Sequence, residues 1–183
     1  MTTGLLVIDM QMGMEHRRLA GRPRANAQAE VHVAALLTLF RVRGLPIVHV
    51  HHDDPDPASD FHPGAAGHAA LPCAVPLQGE VVLHKSGSSA FAGTGLDALL
   101  RRRGVNRIVV VGAVAAFCVT SSVRAASDMG FAVILPGDAL IGFDLPAHDG
   151  GRLDAETVLR VTLSLLGADF AQLVTAGQVA ELL

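Results

Sequence analysis

Three side chains that could do covalent chemistry each stand just after a short, mostly apolar segment of the sequence. They are Asp9, Lys85 and Cys118, which follow the segments 5–8, 81–84 and 108–111. Apolar runs of about four residues are typical of buried strands in a parallel sheet. Because the carboxyl ends of parallel strands lie at one edge of the sheet, we expect these three side chains to meet there.

A cysteine, a carboxylate and a lysine together suit nucleophilic catalysis. Cys118 stands where the next helix is predicted to begin, and the free N–H groups and positive dipole end of a helix favour a thiolate. Asp9 would take the thiol proton, and Lys85 would stabilise the resulting negative charge. The backbone N–H of Cys118, with another from the turn at Ala113–Val114, would form an oxyanion hole.

Each of these residues also has a structural interpretation. Asp9 could be a helix cap or a turn residue, and Cys118 could be a buried structural cysteine, which is common for free thiols. Lys85 weighs against this interpretation, because a lysine at the end of a buried strand needs a partner. The other cysteine, Cys73, lies in a Pro-rich loop and is interpreted as structural.

Predicted strands and helices alternate along the whole chain. Further strands are predicted at 46–51, 131–135 and 170–174, and helices at 25–43, 94–103, 118–129, 154–166 and 175–183. Thr94 and Thr175 begin possible capping boxes, and the long segments 52–79 and 136–152 are predicted to be functional loops. This order predicts a doubly wound, parallel α/β sheet in one domain, residues 1–183.

The composition excludes several classes of partner. The 183 residues carry a formal net charge of −3 without a stripe of Arg or Lys, which argues against nucleic acid. No apolar run reaches about 18 residues and no leader is evident, so we expect no membrane contact and a cytoplasmic protein. Half of the residues are hydrophobic and only 17% are charged, which favours a homo-oligomer, either a dimer or a tetramer. The expected partner is a small-molecule substrate.

Most of the chain resembles the isochorismatase-like cysteine hydrolases, a superfamily that includes nicotinamidase and N-carbamoylsarcosine amidohydrolase. The matching segments are LLVIDMQ at 5–11, HKSGSSAFAGTGLDALLRRRGV at 84–105, VVVGAVAAFCVTSSVRAASDMGFAVILPGDA at 109–139 and the tail FDLPAHDGGRLDAETV. The resemblance implies a three-layer α/β/α domain with a six-stranded, mainly parallel Rossmann-like sheet. It also implies that Asp9, Lys85 and Cys118 are the catalytic triad. The Ala113–Val114 peptide would be cis, and the N–H groups of Val114 and Cys118 would form the oxyanion hole.

The chemistry implied by the resemblance is hydrolysis of a C–N bond through a thioester on Cys118, without a cofactor. The substrate would be a small carboxamide, a ureido compound or a related molecule. Nicotinamidases carry Thr or Asp in the turn before the nucleophile, where this chain has Val114, Ala115 and Ala116. The pocket wall is therefore expected to be apolar. The predicted substrate contacts are Gln11, His68, Phe91 and His148.

Two alternatives remain beside the cysteine amidohydrolase. A metal-assisted, nicotinamidase-type hydrolase would use Asp60, His62 and His68, which superficially resemble the family's Asp-x-His pair and later His. Because this pair lies well beyond the strand end, we interpret its residues as solvated and predict no metal. A non-catalytic binding or scaffold protein on the same fold is the other alternative. A nucleotide-binding domain is disfavoured, since neither a G-x-G-x-x-G sequence nor a P-loop is present.

Overall fold

A computed structural model describes residues 2–183, and its central element is a parallel sheet. The strands are β1 Thr2–Ile8, β2 Arg24–Ala25, β3 Ile47–His52, β4 Val81–Lys85, β5 Val105–Ala113, β6 Ala132–Pro136, β7 Leu140–Phe143, β8 Leu145–Pro146, β9 Arg152–Leu153 and β10 Gln172–Val174. Six of them form parallel pairs in the order β10-β6-β5-β1-β3-β4. The predicted six-stranded parallel sheet is confirmed.

Helices cover both faces of this sheet. They are α1 Met12–Leu19, α2 Ala29–Val42, α3 Leu96–Arg102, α4 Thr120–Asp128, α5 Ala155–Asp169 and α6 Val179–Leu182. Side chains alternate along β1, so Leu5 and Val7 pack in one core with α2, while Leu6 and Ile8 pack in the other with α3, α4 and α5. The expected three-layer α/β/α architecture is confirmed. Within residues 2–183, none of the helices is long and apolar enough to cross a membrane.

The strand order reverses beside β1. From β1 the chain builds the sheet outward through β3 and β4, and it then returns to build the other side through β5, β6 and β10. Open α/β sheets bind ligands at the carboxyl ends of the strands beside such a reversal. Gly112 holds the backbones of β1 and β5 close there, because its φ is +123° and an added Cβ would lie 2.0 Å from the Ile8 carbonyl oxygen.

The sequence prediction lacks helix α1. Its eight residues, MGMEHRRL, are mostly polar and bury only Gly13 and Met14, so no apolar stripe marks it as a helix. The helix predicted over 25–43 begins later, at Ala29, because residues 24–25 pair with β7.

The prediction of 136–152 as a loop is wrong for part of that segment. It contains β7, which pairs with the end of β5 and with β2, and it contains the β8–β9 hairpin. The partners of β7 are far away in sequence, so the local pattern does not reveal it. The capping box at Thr94 is also wrong, since Thr94 Oγ1 donates to the Ala90 carbonyl oxygen and α3 begins after Gly95. The capping box of Thr175 with Gln178 is confirmed.

Candidate active site

The structure brings Asp9, Lys85 and Cys118 together at the carboxyl edge of the sheet. Asp9 follows β1, Lys85 is the last residue of β4, and Cys118 lies beyond β5. Lys85 Nζ is 2.8 Å from Asp9 Oδ2 and 3.3 Å from Cys118 Sγ. It also donates to the Gly87 carbonyl oxygen at 3.1 Å, so each of its three protons has an acceptor.

Asp9 and Lys85 form a buried ion pair, because their side chains are 1% and 0% exposed. Lys85 is the only lysine of the chain. Burial raises the pKa of Asp9, although Lys85 acts to lower it. The second carboxylate oxygen, Asp9 Oδ1, is buried and accepts no hydrogen bond within the described residues. An unpartnered carboxylate oxygen of raised pKa is suited to receive a proton from a neighbouring group.

Cys118 lies in a π-helical turn, Ala115–Val119, which leads into α4. Burial raises the pKa of its thiol to about 11, and the Asp9 carboxylate raises it as well, while Lys85 opposes the shift. The expectation that the helix start would favour a thiolate is therefore wrong for this structure, since desolvation and a nearby negative charge outweigh the dipole. Cys118 is a thiol at neutral pH, which makes a base necessary for its attack.

A cavity of about 380 Å³ opens beside Cys118. Its lining residues are Asp9, Met14, Arg17, Arg22, His52, Asp54, Ser59, Phe61, Val114, Phe117, Cys118 and Leu145. Much of the wall is apolar, as expected from the Val-Ala-Ala turn. The Ala113–Val114 peptide is cis, as the resemblance implies.

None of the four predicted substrate contacts lies in the cavity lining. Gln11 is fully buried, and its amide donates to the carbonyl oxygens of His52 and His68 and accepts from the His52 N–H. Gln11 therefore supports the cavity wall from behind. Phe91 packs against Phe131 in the core, and His148 is exposed beyond β8.

Helix α1, which the sequence pattern does not reveal, contributes Met14 and Arg17 to the cavity. Arg22 follows shortly after it, and His52 and Asp54 flank the end of β3. The position of Asp54 after a predicted strand was a signal available in the sequence. Arg17 had no such signal, because its orientation depends on a helix without an apolar stripe.

The residues considered for a metal, Asp60, His62 and His68, do not come together. Asp60 Oδ1 pairs with His16 at 3.3 Å, and His62 Nδ1 lies 3.1 Å from the Asp54 carbonyl oxygen. Their spacing in the sequence was therefore misleading, because the loop separates them.

His68 instead joins Asp53 and His84, and one ligand atom from each of these three residues lies within 4.8 Å of the others. Asp53 Oδ1 is 2.7 Å from His68 Nε2 and 2.8 Å from His84 Nδ1. Two imidazoles and a carboxylate could hold a divalent transition metal. His84 and Lys85 are neighbours on β4 and point to opposite faces of the sheet, so this trio is separate from the cavity.

Comparison with known proteins places this geometry in a family. A family model described as the isochorismatase domain matches residues 3–163. The chain belongs to the isochorismatase family. A solved structure from Chromobacterium violaceum, described as a hydrolase of the isochorismatase family, has a TM-score of 0.94 to this family member at 38% identity, covering 98% of this chain and 92% of that one.

Curated members of the isochorismatase family are also similar in sequence. The isochorismatase family protein YrdC of Bacillus subtilis is 28% identical over 174 residues, which are 95% of this chain and 92% of YrdC. N-carbamoylsarcosine amidase of Arthrobacter is 40% identical over 65 residues, which are 36% of this chain and 25% of the amidase. The chain described here is thus an isochorismatase-family hydrolase.

Proposed function

We propose that this isochorismatase-family hydrolase is a cysteine amidohydrolase that cleaves the C–N bond of a small carboxamide, ureido or related substrate. The observation that carries the proposal is the position of Lys85 Nζ between Asp9 Oδ2 and Cys118 Sγ, with Asp9 Oδ1 buried and unpartnered. The local similarity to an enzyme named N-carbamoylsarcosine amidase supports amide or ureido chemistry.

Acylation would begin from a thiol, a carboxylate and an ammonium group. Asp9 takes the thiol proton while Cys118 Sγ attacks the substrate carbonyl carbon, and the carbonyl oxygen becomes an oxyanion. The N–H groups of Val114 and Cys118 stabilise this oxyanion, and such donors contribute about 3 kcal/mol each. Asp9 then returns its proton to the leaving amine as the C–N bond breaks, which leaves a thioester on Cys118.

Deacylation would repeat these proton transfers with water. Asp9 takes a proton from water as its oxygen attacks the thioester carbonyl carbon, and the same two N–H groups receive the oxyanion. Sγ leaves and regains its proton from Asp9, so the acid product is released and the resting state returns. Lys85 keeps its charge throughout and offsets negative charge on Asp9 and on Sγ in turn.

A substrate screen with matched cysteine variants tests this proposal. The screen contains small carboxamides, ureido acids and lactams, and mass spectrometry detects an acyl adduct of the protein. We expect Cys118→Ala to abolish hydrolysis and the adduct. Cys73→Ala, which removes a cysteine outside the cavity lining, should retain both. Full hydrolysis by Cys118→Ala of every substrate found would contradict the proposal.

A further inference from the structure

Arg17 presents a positive charge to the cavity without an acidic partner. Its guanidinium lies over the Phe61 ring, 5.1 Å from the centroid, and lines the same cavity as Cys118. It forms no hydrogen bond or ion pair with the part of the chain that the structure describes. Burial lowers the pKa of Arg17, while Asp60, Cys118 and Asp9 act in the opposite direction. A partly desolvated guanidinium of this kind is a ready binding partner for an anion.

The other charges of the cavity are already balanced within the protein. Lys85 offsets Asp9, and Arg22 donates to Asp144 Oδ1 at 3.2 Å and to the Asp144 carbonyl oxygen at 3.0 Å. Asp54 accepts the Asp56 N–H at 3.0 Å within its own turn.

The acidic group with the largest effect on Arg17 is also engaged elsewhere. That group is Asp60, which pairs with His16 at 3.3 Å. Arg17 is therefore the cation of the lining with its bonding capacity unused.

We infer that Arg17 forms a carboxylate-binding subsite, so that the preferred substrate is a small amide or ureido compound that also carries a carboxylate. The inference rests on the proposed function for the identity of the bond that is cleaved. The planar guanidinium matches a carboxylate with two parallel hydrogen bonds, and Phe61 holds its plane by stacking. A cavity of about 380 Å³ has room for a molecule of this size between Arg17 and Cys118.

Alkylation of Cys118 tests the subsite without knowledge of the substrate. The experiment compares the second-order rates of iodoacetate and iodoacetamide, which differ mainly in the charge of the group attached to the reactive carbon. The ratio of the two rates at one pH cancels the fraction of thiolate. A Cys73→Ala background leaves Cys118 as the only thiol, and mass spectrometry follows the reaction.

We expect Arg17→Met to lower the ratio of iodoacetate to iodoacetamide rates about tenfold or more, since it removes a charge-assisted contact. Arg18→Met is the matched control, because Arg18 is exposed on the same helix and pairs with Glu15. Its ratio should stay within twofold of the wild-type value. The iodoacetamide rate reports whether each variant is folded around Cys118, and Arg17→Lys should give an intermediate ratio.

A ratio in Arg17→Met within twofold of the wild-type ratio overturns the inference, and so does an equal loss in Arg18→Met. This result is independent of catalysis, because alkylation needs an accessible thiol but no turnover. A protein that hydrolyses no amide, yet shows the expected change of ratio, would contradict the proposed function and support the anion subsite. Hydrolysis with an unchanged ratio would have the opposite meaning.

Discussion

Removal of the Lys85 charge is a direct test of the buried ion pair. Lys85→Met keeps an unbranched, mostly apolar side chain but leaves Asp9 buried without a cation. The two charged groups are 2.8 Å apart, which corresponds to about 6 kcal/mol of Coulomb attraction at an effective dielectric constant of 20. Loss of one partner of a buried pair typically destabilises a protein by about 3–5 kcal/mol. We expect the variant to unfold at a lower urea concentration.

Protonation of Asp9 limits this loss and makes it depend on pH. The proton costs about 1.36 kcal/mol for each pH unit above the ordinary pKa of 3.8. The limit is therefore about 4.4 kcal/mol at pH 7 and about 1.6 kcal/mol at pH 5. Because the folded variant keeps a proton that the unfolded chain has released, its stability falls as pH rises through this range. We expect a loss relative to wild type of about 3–4 kcal/mol at pH 7 and less than about 2 kcal/mol at pH 5.

Urea unfolding at the two pH values measures these differences. The chain contains no Trp or Tyr, so far-ultraviolet circular dichroism is the suitable signal. The matched control is the double variant Asp9→Asn/Lys85→Met, in which no charge is buried alone. It should recover at least half of the loss at pH 7 and should lack the added pH dependence. Equal losses at both pH values, or a double variant as unstable as Lys85→Met at pH 7, would refute the reasoning.

Three further substitutions test the structure around the site. Burial opposes ionisation of Glu80, but Arg41 donates hydrogen bonds to it and lowers its pKa to about 2. Glu80→Gln should thus cost about 2–3 kcal/mol above pH 4.5, and the wild type should lose this advantage as pH falls from 4.5 to 2, as measured by urea unfolding. Gly112→Ala should cost more than about 3 kcal/mol or prevent folding, because its Cβ would meet the Ile8 carbonyl oxygen at 2.0 Å; soluble yield and thermal unfolding report this. Gln11→Leu should cost about 2–4 kcal/mol in urea, since it strands buried backbone groups.

Exposed or open positions supply the controls for these three variants. Glu181→Gln and Gln78→Leu change exposed side chains, and Gly87→Ala adds a Cβ with no atom within 4 Å. Each control should stay within about 0.5 kcal/mol of the wild type. A test variant that is no less stable than its control would contradict the corresponding contact.

The sequence by itself determined the sheet and the ends of its central strands. A strand covered on both faces must be apolar at every position, so runs such as 5–8 and 108–111 are visible without any structure. Parallel strands end at a common edge, so the residues that follow them can be expected to meet. For this reason Asp9, Lys85 and Cys118 could be singled out from the sequence.

Only the tertiary structure decided the state of the thiol and the shape of the cavity. The pKa of Cys118 depends on how much water the surrounding elements exclude and on the Asp9 charge, and neither is a property of the local sequence. Arg17 reaches the cavity from a short polar helix, whose position is set by packing of Gly13 and Met14 and not by an apolar stripe. Phe91, an equally good candidate from its type, packs in the core. Desolvation and contacts between distant segments arise only when the chain is folded, and the substrate contacts of this site depend on both.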